Sequence, residues 1–146
     1  MNIRRTILVG ATLVLTVLLA ACATAKPDQP PAQSAALLDT EWALVSLHGG
    51  TLIEGRTITL RFMEGSVEGS GGCNTYGGSY TASKESLSFG DVYRTEIGCT
   101  EPEGIMKQEQ GYFEALNNVA SYRVDGDRLE LYDEAGTQIL VFVAAG

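Results

Sequence analysis

The chain has 146 residues, is 45% hydrophobic, and carries 10 Lys plus Arg against 18 Asp plus Glu, a formal charge of −8. That acidic balance opposes a nucleic-acid or polyphosphate partner, which needs clustered basic side chains. With 3 Cys and 1 His, zinc sites and histidine-based catalytic sets have few residues to draw on.

At the N-terminus, Arg4 and Arg5 precede an apolar run from Ile7 to Leu19, followed by Leu19-Ala20-Ala21-Cys22. A basic start, a short apolar core and small residues before a cut site describe a secretory signal peptide over residues 1–21. The run falls short of the roughly 20 apolar residues that a membrane span needs. Leu-Ala-Ala-Cys resembles the lipobox of bacterial lipoproteins, which implies that Cys22 is lipidated and becomes the first mature residue. The membrane is then a partner through lipid on Cys22, since two or more acyl chains hold stably where one does not. The implied localisation is the exported bacterial cell envelope, facing the periplasm or the exterior, and the outer membrane if the host has two. Cleavage removes two basic residues and no acidic one, which leaves 8 basic against 18 acidic groups and a charge of −10.

Residues 22–36 hold the cysteine and a stretch with three of the four prolines and no large apolar side chain, a semi-extended tether. Residues 37–146 are then one domain. Glu41 to Leu47 reads as a strand ended by His48-Gly49-Gly50. Ile58, Leu60 and Phe62 alternate with Thr57, Thr59 and Arg61, giving one buried and one wet face. Glu64-Gly65 turns the chain into Gly69–Tyr80, GSGGCNTYGGSY, whose glycines predict a bent or bulged strand. In a regular strand Tyr76 and Tyr80 share a face, and Gly77-Gly78 is where a bulge could sit. Asn74 is expected to hydrogen-bond local backbone. Leu87 and Phe89 mark a short strand.

From Glu101 to Val119 the period becomes helical. Thr100 with Glu103 fits a capping box, Pro102 fits a first turn, and Met106, Tyr112, Phe113, Leu116 and Val119 form an apolar side. Tyr122–Asp125 and Arg128–Tyr132 flank Gly126-Asp127 as a hairpin, and a second turn at Glu134-Ala135-Gly136 leads to the apolar run Ile139–Val143. Roughly seven short strands with one helix predict a mainly β fold, a small antiparallel barrel-like or strongly bent sheet with one α-helix.

No chemical motif completes itself. The serines lack a Gly-x-Ser-x-Gly elbow, and Gly69-Ser70-Gly71-Gly72 has Asn74 where a dinucleotide fingerprint needs its third glycine. Asp125–Glu130 fails the calcium-loop pattern at Leu129 and Glu130. No catalytic residue, metal site or cofactor is therefore expected. With Cys22 assigned to lipid, Cys73 and Cys99 remain, and an even remainder in an exported chain points to a disulfide rather than two buried thiols.

Thr40–Leu44, the string Gly69–Tyr80, Thr95–Cys99, Glu109-Gln110 before Phe113–Leu116, and the closing hairpins together resemble the META domain, or HslJ-like, family. The resemblance runs from about Leu38 to Val143. It departs at Ile97-Gly98, where members commonly carry Met-Ala. It implies a small β-rich, barrel-like fold with one helix, often on lipoproteins. The family name is tied to heat-inducible expression and, in one member, to novobiocin tolerance, with no enzymatic reaction generally assigned. The reading that follows is a non-enzymatic, lipid-anchored envelope module that binds an unknown protein or small apolar ligand. Asn74, Tyr76 and Tyr80 are the candidate binding residues. A structural lipoprotein that assists assembly of an envelope complex, and an enzyme using a free Cys73 or Cys99 thiol, are the alternatives.

Overall fold

The computed structural model describes residues 36–146. The readings of a signal peptide, of lipid on Cys22 and of the tether up to residue 35 lie outside the described residues.

The strands are β1 (Glu41–Leu47), β2 (Thr59–Met63), β3 (Ser66–Ser70), β4 (Thr75–Ser83), β5 (Ser86–Arg94), β6 (Ser121–Asp125), β7 (Arg128–Tyr132) and β8 (Gln138–Ala144). Helix α1 (Ile105–Asn117) lies between β5 and β6. The eight strands form a closed antiparallel barrel in sequence order, with β8 returning to β1. Among the described residues the mainly β, one-helix expectation holds. Leu60 and Phe62 of β2 point in while Arg61 is exposed, as the alternation foretells. Strand β8 lies between β1 and β7, and its run Ile139–Phe142 is buried throughout.

Every strand sends side chains to one core, which α1 completes with Tyr112, Phe113, Ala115 and Leu116. The interior is therefore packed, as the width of an eight-stranded barrel allows. From the other direction Leu37 is fully buried, and Leu38 forms a bridge with Phe62. The seam between β5 and β6 is thin. One register pair, Ser86 with Ser121, joins these strands, and α1 packs against β5 beyond it.

Several expectations are corrected. Gly69–Tyr80 is two strands rather than one bent strand, so the barrel has eight strands and not about seven. Between them Gly71–Asn74 turn the chain, closed by Gly71 N–H donating to the Asn74 carbonyl at 2.7 Å, with Gly72 at a φ of +104°. The bulge lies on β5. Register passes from Gly78–Val92 to Tyr80–Phe89, so Gly90 and Asp91 oppose Ser79 alone. This lets β5 run past Gly90 to Arg94, further than its apolar pattern suggests.

The helix begins at Ile105, not near Glu101, and the capping box does not form. Gly104 at the N-cap has a φ of +85°, a left-handed conformation that breaks helical continuity, and Pro102 disfavours helix at the residue before it. Met106 is 39% exposed at the rim of the buried stripe, where its sulfur accepts the Cys99 N–H at 3.4 Å.

A disulfide joins Cys73 to Cys99 with their Cα atoms 6.0 Å apart, tying the β3–β4 turn to the segment that leads into α1. For a bridge across 26 positions, the chain-entropy account predicts that Cys73→Ala with Cys99→Ala costs about 3.5 kcal/mol. Denaturant titration of both forms measures this, and an unchanged midpoint would contradict it.

Candidate functional site

The Gly71–Asn74 turn presents its backbone N–H groups to a carboxylate carried by the helix. Glu109, only 3% exposed, accepts from Cys73 N–H at 3.1 Å and Asn74 N–H at 2.6 Å through Oε1, and from the Asn74 amide at 2.7 Å through Oε2. Burying a carboxylate is costly unless such donors replace water. Gly71 permits the approach, since a Cβ there would meet Glu109 Oε1 at 2.6 Å and Phe113 at 3.0 Å.

Asn74 then passes the order on. Its Oδ1 accepts from Ile97 N–H at 2.6 Å and the Thr95 hydroxyl at 2.8 Å, while its amide also donates to the Ile97 carbonyl at 3.1 Å. The expected local backbone bonding is thus replaced by long-range contacts, because the turn aims this side chain between α1 and residues 95–97.

Two strand positions further, Tyr76 packs across from Gly69 and donates to the Thr59 carbonyl at 2.9 Å. With that proton committed, the 2.6 Å contact between Tyr76 and Tyr112 hydroxyls must have Tyr112 as donor. Burial pushes both phenols well above the ordinary tyrosine range, Tyr112 further through its neighbour Tyr76, while the Tyr112 bond partly offsets the rise at Tyr76. Tyr80 is half-buried and set edge-on to Phe62 at 5.0 Å.

The outer surface at this end of the barrel is built differently. Across β1 to β5, Glu41 opposes Arg61, Arg61 opposes Glu68, Glu68 opposes Gly77, and Gly77 opposes Tyr93. Beside this row runs another in which Thr59 opposes Ser70 and Ser70 opposes Thr75. Apart from Gly77, these residues line a cleft of about 600 Å³ together with Gly69, Tyr76, Arg94 and Thr95. Tyr93 is 74% exposed, yet a Cβ on Gly77 would meet its Oη at 2.5 Å and its Cζ at 2.7 Å. The ring is therefore laid against bare backbone, with much of its surface open to solvent.

Arg94 also forms a wall of a second cleft, of about 730 Å³, between residues 95–98 and α1. Its guanidinium sits 4.6 Å from the centre of the Phe113 ring, and Ile97 and Met106 expose apolar surface nearby. His48 is exposed in a turn. Among the described residues, no group of three His, Cys, Asp or Glu is placed to hold a metal.

Of the candidate binding residues, Asn74 and Tyr76 are buried with their polar atoms engaged inside the fold, yet Tyr76 borders the outer cleft and Asn74 the second one, and Tyr80 faces the core beside Phe62. Cys73 and Cys99 are joined, which occupies both thiols. Glu109 enters the sequence reading only as part of the family resemblance, and Tyr93 and the row from Glu41 to Glu68 are given no functional role there. Arg61 already lay on a wet face by alternation. Glu109 falls on the apolar side of α1, four positions after Ile105 and three before Tyr112, and that spacing was the available signal.

A family model described as META domain matches residues 35–146. The chain belongs to the META domain family. An NMR structure of a protein from Burkholderia xenovorans is similar to this META domain, with 26% identity and a TM-score of 0.60, over 84% of this chain and 96% of that one. A second NMR structure, 21% identical with a TM-score of 0.60, covers 75% of this chain and 92% of its own and shares the fold. No curated protein matches the chain.

Two predictions follow from the buried network of the domain. Gly71→Ala should cost about 1–3 kcal/mol by forcing Glu109 and Phe113 apart. Gly98→Ala should be silent in the same thermal melts, because nothing lies within 4 Å of a Cβ there. Alkali supplies the second. The tyrosine values are raised in the folded state, so unfolded chains lose protons first and stability falls as pH climbs past about 10. Phenolate absorbance for Tyr76 and Tyr112 should then appear together with loss of near-UV circular dichroism, and its appearance in the folded protein would contradict their burial.

Proposed function

We propose that this META domain protein is an exported, lipid-anchored envelope protein and a non-enzymatic binding module that acts under envelope stress or antibiotic challenge. The carrying observation is where polar chemistry is free. Inside, Asn74 and Glu109 bond each other and backbone, and Tyr76 bonds Tyr112 and the Thr59 carbonyl, while the outer cleft of β1–β5 holds Arg61, Glu68 and Tyr93 with open faces. The filled interior favours a ligand taken on the outer face over an apolar molecule inside the barrel. The Cys73–Cys99 bridge is in keeping with an oxidising compartment. The anchor rests on Arg4-Arg5, the run Ile7–Leu19 and Leu19–Cys22.

A second reading, a structural protein that assists an envelope complex, draws on the other cleft. There Ile97 is 56% exposed beside Met106 and the charged edge of α1, a surface suited to a protein partner.

Detergent phase separation with intact mass tests the anchor. The wild-type chain is expected in the detergent phase with residues 1–21 removed and acyl mass on Cys22, and Cys22→Ser in the aqueous phase. An unmodified wild-type chain in the aqueous phase would remove the anchoring proposal.

A further inference from the structure

We infer that the outer cleft of β1–β5 is a site for a neutral saccharide, stacked on Tyr93 and held by the Arg61–Glu68 row; this rests on reading that face as the binding face. The lining is balanced in charge, with Arg61 and Arg94 against Glu41 and Glu68, although the chain as a whole carries −8. A phosphate or carboxylate ligand would favour the arginines without the acids, and a cation the reverse. None of these four makes an ion pair, since among the described residues the ion pairs are Arg123–Asp125 and Arg128–Glu130. Their donors and acceptors are left for an outside partner.

The matching ligand has to accept from guanidinium groups, donate to carboxylates and exchange bonds with the hydroxyls of the neighbouring row. A ring bearing many hydroxyls does all three. It also offers a flat C–H face for an amphipathic aromatic surface. Tyr93 provides that surface, held in place because Gly77 has no side chain to lift it. At about 600 Å³ the cleft lies inside the usual range for small-molecule sites. A glycine elsewhere in the strand would serve packing alone. Here the residue laid over it is exposed and lies at the end of the charged row.

The test uses ¹⁵N-labelled full-length chain in dodecylphosphocholine, a detergent without a sugar headgroup. It is titrated with cellotetraose and with tetra-N-acetylchitotetraose to about 10 mM, beyond the ~1 mM range of weak specific binding. At least one should shift amides confined to the outer face of β2–β5. Tyr93→Ala should weaken that binding about tenfold or more, Tyr93→Phe should retain it, and Ile97→Ala in the neighbouring cleft should leave it unchanged. Arg61→Ala, expected to weaken binding likewise, serves as the second variant should Tyr93→Ala lose its dispersed spectrum. No shifts with either sugar, or equal affinity in a folded Tyr93→Ala, overturns the inference. A neutral tetrapeptide that shifts the same amides when the sugars do not overturns the saccharide class and leaves the binding-module reading standing. Silence toward all three probes counts against both.

Discussion

The fold turns on one buried carboxylate. Glu109 gives up water and receives three N–H donors from the Gly71–Asn74 turn in its place. Hydrogen bonds to charged groups contribute about 1.5–3 kcal/mol each, and leaving such a charge unpaired costs more. The helix cannot then slide along the barrel without stranding the charge. Position by position the consequence spreads. Asn74 is fixed by Glu109 and in turn fixes Thr95 and Ile97, and the same turn carries Cys73 into its bridge with Cys99. A helix that carries Gly111 in its interior and begins without a side-chain cap owes its place to these tertiary contacts more than to its propensity.

Glycines play paired roles on the two faces of the barrel wall. Inside, Tyr76 lies across from Gly69, and a Cβ there would sit 2.9 Å from the Tyr76 hydroxyl. Outside, Tyr93 lies across from Gly77. Both are aromatic side chains covering a cross-strand glycine, but their fates differ. The Tyr76 hydroxyl is sealed in a chain from Tyr112 to the Thr59 carbonyl, whereas Tyr93 meets solvent. The signature string is thus a structural element in its interior residues and a contributor to a surface in Ser70 and Thr75, which face the outer cleft.

How much of this could be read from residues alone follows from the range of the forces involved. Period-two alternation in β2, the Asp-Gly turn between β6 and β7 and the apolar run of β8 are local, and each found its element. The even cysteine remainder pointed to the bridge that forms. The break at Gly71–Asn74 was hidden because a run of glycines reads alike as a bulge or a turn, and what decides is a carboxylate 35 positions away from Asn74. The extension of β5 past Gly90 was hidden for a related reason. Gly90-Asp91 resembles a chain reversal, yet pairing with β4 absorbs it as a bulge opposite Ser79. The false capping box shows the same limit from the other side. Thr100 and Glu103 have the right spacing, but Gly104 adopts a left-handed conformation between them and the helix. Tyr93 and the Arg61 row could not be assembled from sequence, since they are neighbours only through strand register.

Interior and surface are coupled through Arg94. Its guanidinium rests over Phe113, which itself packs edge-on to Tyr76 at 5.3 Å, and it borders both outer clefts. Residues 95–97, held by Asn74, form the adjoining wall of the second cleft, and Thr95 belongs to both. The shape of each cleft is thereby set from beneath by the same carboxylate that docks the helix. A disturbance of Glu109 reaches the surface along Asn74 to residues 95–97, and along Phe113 to Arg94. Loss of binding after a change at Gly71 or Asn74, within the signature string, is therefore no sign that the residue touches a ligand in the outer cleft. Contact belongs to side chains such as Tyr93 and Arg61, which face outward from strands that the buried network holds in register.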